Sequence, residues 1–378
     1  MAQLDAFLAS LERFVRERLI PAEEAVAAAD RIPDDLRRAM ADLGLFGLSI
    51  PEPYGGLGLT MEEEVRALFV LGQASPAYRA LWSLNVGGGS QGLVTSGTEA
   101  QRARYLPRMA SGELLAAFAL TEPEAGSDAV SLAMTARRDG AGWVLDGIKR
   151  YVVNGPDADV YVVMARSDPA STGAGGVSSF LVERSVPGVL PGPAHRMMGL
   201  SGSHVADLEL RGCRVPADAL LGGVEGRGFR IAMQSIDKAR LHVAALCVGM
   251  AARMLDEALR HALARRQFGE RIADFQLVQA MLADCRTELH AARCMVVEAA
   301  QARDAGEDVS TAVACCKLYS AEMCTRVADR AVQIHGGAGY IRGAAAERFY
   351  RDARVFRILD GTSEIQRMVI ARGMMRAR

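Results

Sequence analysis

The sequence predicts an α+β fold in three parts: a run of helices, a compact antiparallel β-domain, and a long helical bundle. Three observations predict it. Up to about residue 115, apolar residues recur at helical spacing. From about 117 to 225, β-branched runs alternate with turn dipeptides. From about 227 onward, small and apolar residues occupy more than one face of long helical stretches. A chain of 378 residues is also too long for one simple core, so two or three packed domains are expected.

Taken in order, Leu4, Phe7, Leu8, Leu11 and Phe14 follow the i, i+3, i+4 pattern of an amphipathic helix. "IPDDLRRAMADLGLFGL" predicts a second helix with a glycine stop, and "MEEEVRALFVLGQA" another after the loop "PEPYGGLGL". In the middle, "GWVLDGIKRYVVNG" and "ADVYVVMARS" read as strands separated by Asn-Gly and Gly-Pro turns. "SSFLVE" and "ADLELRGCRV" continue the alternation. The stretches beginning "RIAMQSIDKARL" and "DFQLVQAMLADC" are apolar nearly all round, as in helices buried in a bundle or a subunit interface. The expected boundaries are 1–116, 117–226 and 227–378.

Composition excludes several classes. Forty-four basic and 45 acidic residues leave a net charge of −1 and no basic footprint for nucleic acid. Aromatics at 6% offer few base-stacking platforms. No apolar run reaches the length of a membrane span. The N-terminal stretch lacks the apolar region and cleavage site of a signal peptide, so a cytoplasmic location is expected. Seven cysteines without a Cys-x-x-Cys pair read as reduced, buried thiols. His290 and Cys294 stand one helical turn apart, but no further ligands converge on them. Ordinary packing is expected there, and no metal. "GGSQG" around Ser90 has the Gly-x-Ser-x-Gly form of a hydrolase elbow. Its helical context points to close packing of small residues instead.

Four motifs carry more. "LTEPEAGSD" (120–128) joins helix to sheet through a Gly-Ser-Asp turn whose amides can face an anion; alone, it is a connecting loop with a capping Asp. "RRQFG" (265–269) ends a helix on two cations, which alone complements the helix dipole. "QIHGGAGY" (333–340) ends a helix in three glycines, either a plain helix stop or a backbone that admits a pyrophosphate. In "FRILDGTSEIQR" (356–367), Asp360 is either the cap of a helix beginning near Ser363 or a catalytic base.

Together with "GIKRYVVNG", "CRVPADALLG", "GFRIAMQSIDKARL", "ALARRQFGERIADFQLVQ" and "RDARVFRILDGTSEIQRMVIAR", these segments resemble the acyl-CoA dehydrogenase family over nearly the whole chain. The resemblance implies an α+β subunit: a helical N-terminal domain, a middle antiparallel β-domain and a C-terminal four-helix bundle. It also implies FAD, an acyl-CoA substrate, an electron-transfer flavoprotein as acceptor, and a homotetramer, with a dimer as the smaller possibility. By motif position, Phe118, Leu120, Thr121, Ser127, Tyr151 and Val153 should lie along the flavin. Arg265, Phe268 and Gln276 should reach the FAD of a neighbouring subunit, with Gln333 and Gly337 near its phosphates. Thr362 and Glu364 should approach FAD as well. Asp237 and Arg240 should face the CoA moiety, with Ser127 also on the substrate side.

In that family the position of Asp360 is commonly a glutamate that removes the Cα proton while a hydride leaves Cβ. Some relatives carry the base at the position of Ala239, and alanine cannot serve. Asp360 is therefore the expected base, shorter than glutamate by one C–C bond, about 1.5 Å. A misplacement of about 1 Å can reduce rate on the order of 100-fold. Tyr151 stands where the family has a tryptophan, and Val153 where it has a hydroxyl residue near the flavin. Finally, "SPAYRALWSL" resembles the segment of glutaryl-CoA dehydrogenases and of a sulfinopropionyl-CoA desulfinase branch. There an arginine at the place of Arg79 meets a distal anion of the acyl group; the alternative is a structural salt bridge. The expected reaction is dehydrogenation of a short-chain or distal-anion acyl-CoA. Desulfination or decarboxylation of a short anionic acyl-CoA, a nitroalkane-oxidase-like reaction and a non-catalytic flavin scaffold are the alternatives.

Overall fold

The computed structural model describes residues 2–376. Seven helices come first: α1 (Ala2–Phe14), α2 (Ile20–Ala29), α3 (Asp34–Asp42), α4 (Met61–Leu71), α5 (Arg79–Val86), α6 (Gln91–Ser96) and α7 (Glu99–Ala110). A π-helical turn, Val15–Leu19, runs α1 into α2. Local chemistry sets several ends. Thr60 and Glu63 form a capping box at α4, and Thr98 and Gln101 form one at α7; each satisfies amides that the first helical turn leaves free.

The middle region holds β1 (Ala116–Ala119), β2 (Thr135–Asp139), β3 (Gly142–Val153), β4 (Val160–Arg166), β5 (Val177–Glu183), β6 (Val189–Pro191) and β7 (Val205–Pro216). They form one sheet in the order β1-β4-β2-β3-β7-β6, with β5 on β4. Most pairings are antiparallel, as expected, but β4 corrects the picture of a wholly antiparallel domain. Its partners β1 and β2 run parallel to it, because the β2–β3 hairpin intervenes in the chain between β1 and β4.

The chain then enters α8 (Gly228–Ala264), 37 residues and so roughly 55 Å long. A small hairpin follows, β8 (Arg266–Gln267) and β9 (Glu270–Arg271). Phe268 and Gly269 turn it with φ of 52° and 83°, as a two-residue type I′ turn requires. "RRQFG" is thus a hairpin rather than a bare helix terminus. Then come α9 (Gln276–Asp304), α10 (Ser310–His335), α11 (Ala345–Ala353) and α12 (Ser363–Arg376).

Burial joins what the chain separates. One apolar core runs from Leu11, Leu68 and Trp82 in the N-terminal helices to Leu241, Val327 and Phe356 in the C-terminal ones. The close crossing of α4 and α8 is made by glycine: a Cβ on Gly249 would lie 2.6 Å from the Phe69 carbonyl oxygen and 2.8 Å from the Gly72 Cα. The sheet has its own core, with Trp143 edge-on to Phe180 at 5.2 Å. A third cluster ties α7, β1 and β4 to Ile231 and Ala232 near the start of α8.

All seven cysteines are free. Five are buried, but Cys315 is half-buried and Cys294 is exposed, which corrects the expectation of buried thiols throughout. Cys294 Sγ lies 3.8 Å from His290 Nε2. Among the described residues no group of three or more such ligands could hold a metal, and no helix is long and apolar enough to cross a membrane.

Candidate active site

The site is assembled where α5, α8, α10 and the lead into α12 meet. Helix α5 is fixed from both sides. The Asn154 amide, at the end of β3 with φ of 59°, donates to the Ala80 carbonyl at 2.6 Å. Asn85 donates to the carbonyls of Met109 and Leu114 at 2.9 and 2.7 Å and accepts from the Ala116 amide at 2.9 Å. Gly88 and Gly89 pack directly against Phe118 and Ala116 of β1, which is the close packing expected of "GGSQG". Arg79 therefore opens a helix that has little freedom to move.

The Arg79 side chain is 16% exposed, and its guanidinium lies 3.7 Å from Asp360 Oδ2. Its Nε is buried without a hydrogen-bond partner among the described residues. Burial pushes the Arg79 pKa below its usual value, with Asp360 and Cys247 opposing.

Asp360 adopts φ of 53° and Gly361 φ of 95°. This is left-handed backbone, tolerated by Asp and favoured by Gly. Side chains hold the turn by its carbonyls. Arg240 Nε donates to the Asp360 oxygen at 3.0 Å, and Lys317 Nζ to the Gly361 oxygen at 2.7 Å. Gln366 Nε2 reaches the same two oxygens at 3.4 and 3.0 Å. The φ of 95° at Gly361, which L side chains rarely adopt, is what calls for glycine after the acid. Arg240 also donates to Asp237 Oδ1 at 2.8 Å. Burial raises the Asp237 pKa and Arg240 opposes that rise.

The capping alternative for Asp360 is overturned. The Thr362 hydroxyl accepts the Ile365 amide at 3.3 Å and so caps α12. The Asp360 carboxylate points to Arg79 instead, since the left-handed turn carries it away from the helix start.

On the sheet side, Phe118 and Thr121 are half-buried and Leu120 is buried at the end of β1. Ser127 is exposed and the space beside Gly126 is open. Lys149, fully buried, bonds Glu122 Oε1 at 2.7 Å and the Leu120 carbonyl at 3.1 Å. Glu122 in turn accepts the amides of Ala133 and Met134. Tyr151 has φ of 56° and is 61% exposed, with its ring 5.8 Å from His195. Val153 is half-buried. An exposed ring, an open glycine turn and nearby hydroxyls fit the flavin that the sequence resemblance implies.

The other expected cofactor residues form a second group. Arg265, Phe268, Gln276, Gln333 and Gly337 are all exposed, Phe268 at 95%. Gly336 and Gly337 have open space around them. Arg240 and Arg265 are about 25 residues apart, which along a helix is roughly 37 Å. Beside this group, His261 and His335 stack at 4.4 Å. Thr362 is half-buried and Glu364 exposed near the Asp360 turn.

Sequence reasoning missed Lys317, Gln366, Lys149, Asn154 and the histidine pair. Lys149 was findable, as a lone charge within the β-branched run "GIKRYVV". Lys317 was not, because its meaning comes from a turn 44 residues away.

Family models match nearly the whole length in order: acyl-CoA dehydrogenase N-terminal domain at 2–113, middle domain at 117–213 and C-terminal domain at 226–375. The chain is 37% identical to an acyl-CoA dehydrogenase of Bacillus subtilis (strain 168), covering 96% of this chain and 95% of that protein. It is 39% identical to an acryloyl-CoA reductase (NADH) of Anaerotignum propionicum, covering 96% and 92%. A solved glutaryl-coenzyme A dehydrogenase in complex with glutaryl-CoA superposes with a TM-score of 0.95 at 33% identity, covering 100% of this chain and 96% of that one.

Proposed function

The chain belongs to the acyl-CoA dehydrogenase family, an FAD-dependent oxidoreductase family of dehydrogenases and reductases, and from that premise we propose that it interconverts a short-chain or distal-anion acyl-CoA with its α,β-unsaturated counterpart, using Asp360 as the Cα base. One observation carries the reading: the pairing of Asp360 with Arg79, a largely buried guanidinium whose Nε has no hydrogen-bond partner among the described residues. Arg79, Arg240 and Lys317 converge on the Asp360 turn, where Asp360, Asp237 and Glu322 oppose them. An uncompensated buried cation is costly, so a substrate anion is its natural complement. Arginine binds carboxylates and sulfinates through paired, charge-assisted hydrogen bonds.

The residues divide the work as follows. Asp360 accepts the Cα proton, and its left-handed turn aims the shorter acid. Arg79 receives the distal anion and releases Asp360 as it does so. Bound FAD supplies the hydride acceptor. Phe118, Leu120, Thr121, Ser127, Tyr151 and Val153 would line the flavin, and Thr362 and Glu364 would also approach FAD. Asp237, Arg240 and Ser127 would serve the CoA side. Asp360 can return the proton in the reductive direction, so the electron partner sets the direction.

The second exposed group supports a cofactor shared between subunits. Arg265 lies roughly 37 Å from Arg240 along α8, farther than one FAD spans, so Arg265, Phe268, Gln276, Gln333 and Gly337 would serve the FAD of a neighbour. Exposed Phe268, Leu277 and Tyr340 fit a covered face in a homotetramer, with an electron-transfer flavoprotein as redox partner in the cytoplasm.

The test is an anaerobic panel of butyryl-, succinyl-, glutaryl- and 3-sulfinopropionyl-CoA, read by flavin bleaching and product mass, on the parent and Arg79→Ala. The expected result is bleaching by an anionic thioester, with KM raised about 100-fold in Arg79→Ala and butyryl-CoA little affected. Equal losses for butyryl- and glutaryl-CoA would defeat the anion assignment. Loss of carbon dioxide or sulfite without bleaching would replace dehydrogenation by a lyase-type reaction.

A further inference from the structure

We propose that Lys317 is a positioning residue for the base at Asp360: its buried ammonium fixes the Gly361 carbonyl and supplies the positive charge that favours the anionic form of the neighbouring carboxylate. The inference rests on Asp360 being the base. Three observations carry it. First, Lys317 is fully buried in the middle of α10, where an apolar residue would be cheaper. Second, its ammonium has three donors, yet among the described residues the hydrogen bond it makes is to one backbone oxygen, that of Gly361 at 2.7 Å. Among the described residues it forms no salt bridge. Third, the bonded carbonyl belongs to the residue next to Asp360, in the strained turn that aims the acid.

The setting explains why a charge is tolerated there. Burial lowers the Lys317 pKa to about 8. The charges facing it are Asp360, which favours its protonated form, Arg240, which disfavours it, and Glu322 on its own helix; the Cys247 thiol also lies near. The bond to the Gly361 carbonyl holds the ammonium beside the turn that carries Asp360, and a positive charge near a carboxylate favours its charged form. Arg79 cannot do this throughout turnover, because it is the group offered to the substrate anion. Lys317 stays behind the turn, bonded to backbone, and keeps its charge in place when Arg79 is engaged. Gln366 holds the same carbonyl without any charge, so geometry alone does not require a lysine.

The experiment is the pH profile of anaerobic flavin reduction by the best thioester, in the FAD-loaded parent, Lys317→Gln and Lys317→Arg, with Asp360→Asn as control. Gln keeps a donor for the Gly361 oxygen and removes the charge; Arg keeps the charge and disturbs the fit. Lys317→Gln should move the acid limb of kcat/KM upward by about one pH unit with FAD content unchanged. Lys317→Arg should leave that limb at the parent position while kcat falls. An unmoved acid limb in folded Lys317→Gln would overturn the proposal and leave Lys317 as a structural residue. If Lys317→Gln does not fold, Lys317→Arg decides alone: an acid limb displaced with the charge retained overturns it, and a parent-like limb supports it. Asp360→Asn separates the two claims. If it reduces flavin as fast as the parent, the base assignment itself has failed. If it is inactive and the Lys317→Gln limb is unmoved, only the role of Lys317 has failed.

Discussion

Lys149 and Lys317 are both fully buried, and burial lowers the pKa of each to about 8. Their surroundings differ. Lys149 meets a carboxylate, Glu122, at 2.7 Å and a carbonyl at 3.1 Å. That carboxylate is itself saturated by two amides. Lys317 meets one carbonyl, while the nearby carboxylate turns to Arg79 at 3.7 Å. The first is a closed pair that fixes the Leu120–Glu122 turn beneath the expected flavin. The second leaves an ammonium with a single hydrogen-bond acceptor among the described residues. A buried lysine is thus no functional marker; an incomplete set of partners around it is.

That contrast can be broken first at the acids. Asp360→Asn should slow flavin reduction by about 1,000-fold while folding and FAD content stay normal, as stopped-flow absorbance and flavin release would show. Glu122→Gln should do the reverse. It leaves Lys149 unpaired in the sheet core and should lower unfolding free energy by about 3–5 kcal/mol, measured by urea unfolding. If Glu122→Gln spared stability and stopped turnover, the two lysine sites would have to exchange roles.

A smaller effect concerns pH. Folded-state values near 8, against 10.5 for a free lysine, mean that between those limits the unfolded chain binds more protons. This part of the stability therefore rises with pH across the window and is flat below it. Lys149→Met should remove one of the two contributions, flattening the slope by at most about 1.4 kcal/mol per pH unit. Urea midpoints at pH 8, 9 and 10 measure it. The smallest effect is the cap. Thr362→Ala should lower stability by about 1 kcal/mol in urea unfolding, and an unchanged midpoint would remove the capping role from Thr362.

The sequence by itself determined the order of helices, sheet and helices, because apolar periodicity and capping residues such as Thr60 and Thr98 act within a few residues of chain. It also singled out Asp360 next to a glycine and Arg79 amid Ala, Leu and Trp, which the fold brings to 3.7 Å. Tertiary structure alone decided the rest. The parallel edge of β4, the Phe268-Gly269 hairpin and the exposure of Cys294 depend on how distant segments pack. Whether Asp360 caps a helix or faces Arg79 depended on a left-handed turn held by Arg240, Lys317 and Gln366. Lys317 and Gly361 are 44 residues apart, and the ammonium has no acceptor there until α10 packs beside the turn. Propensity and periodicity report on neighbours along the chain, whereas the partners of a buried charge are set by neighbours in space.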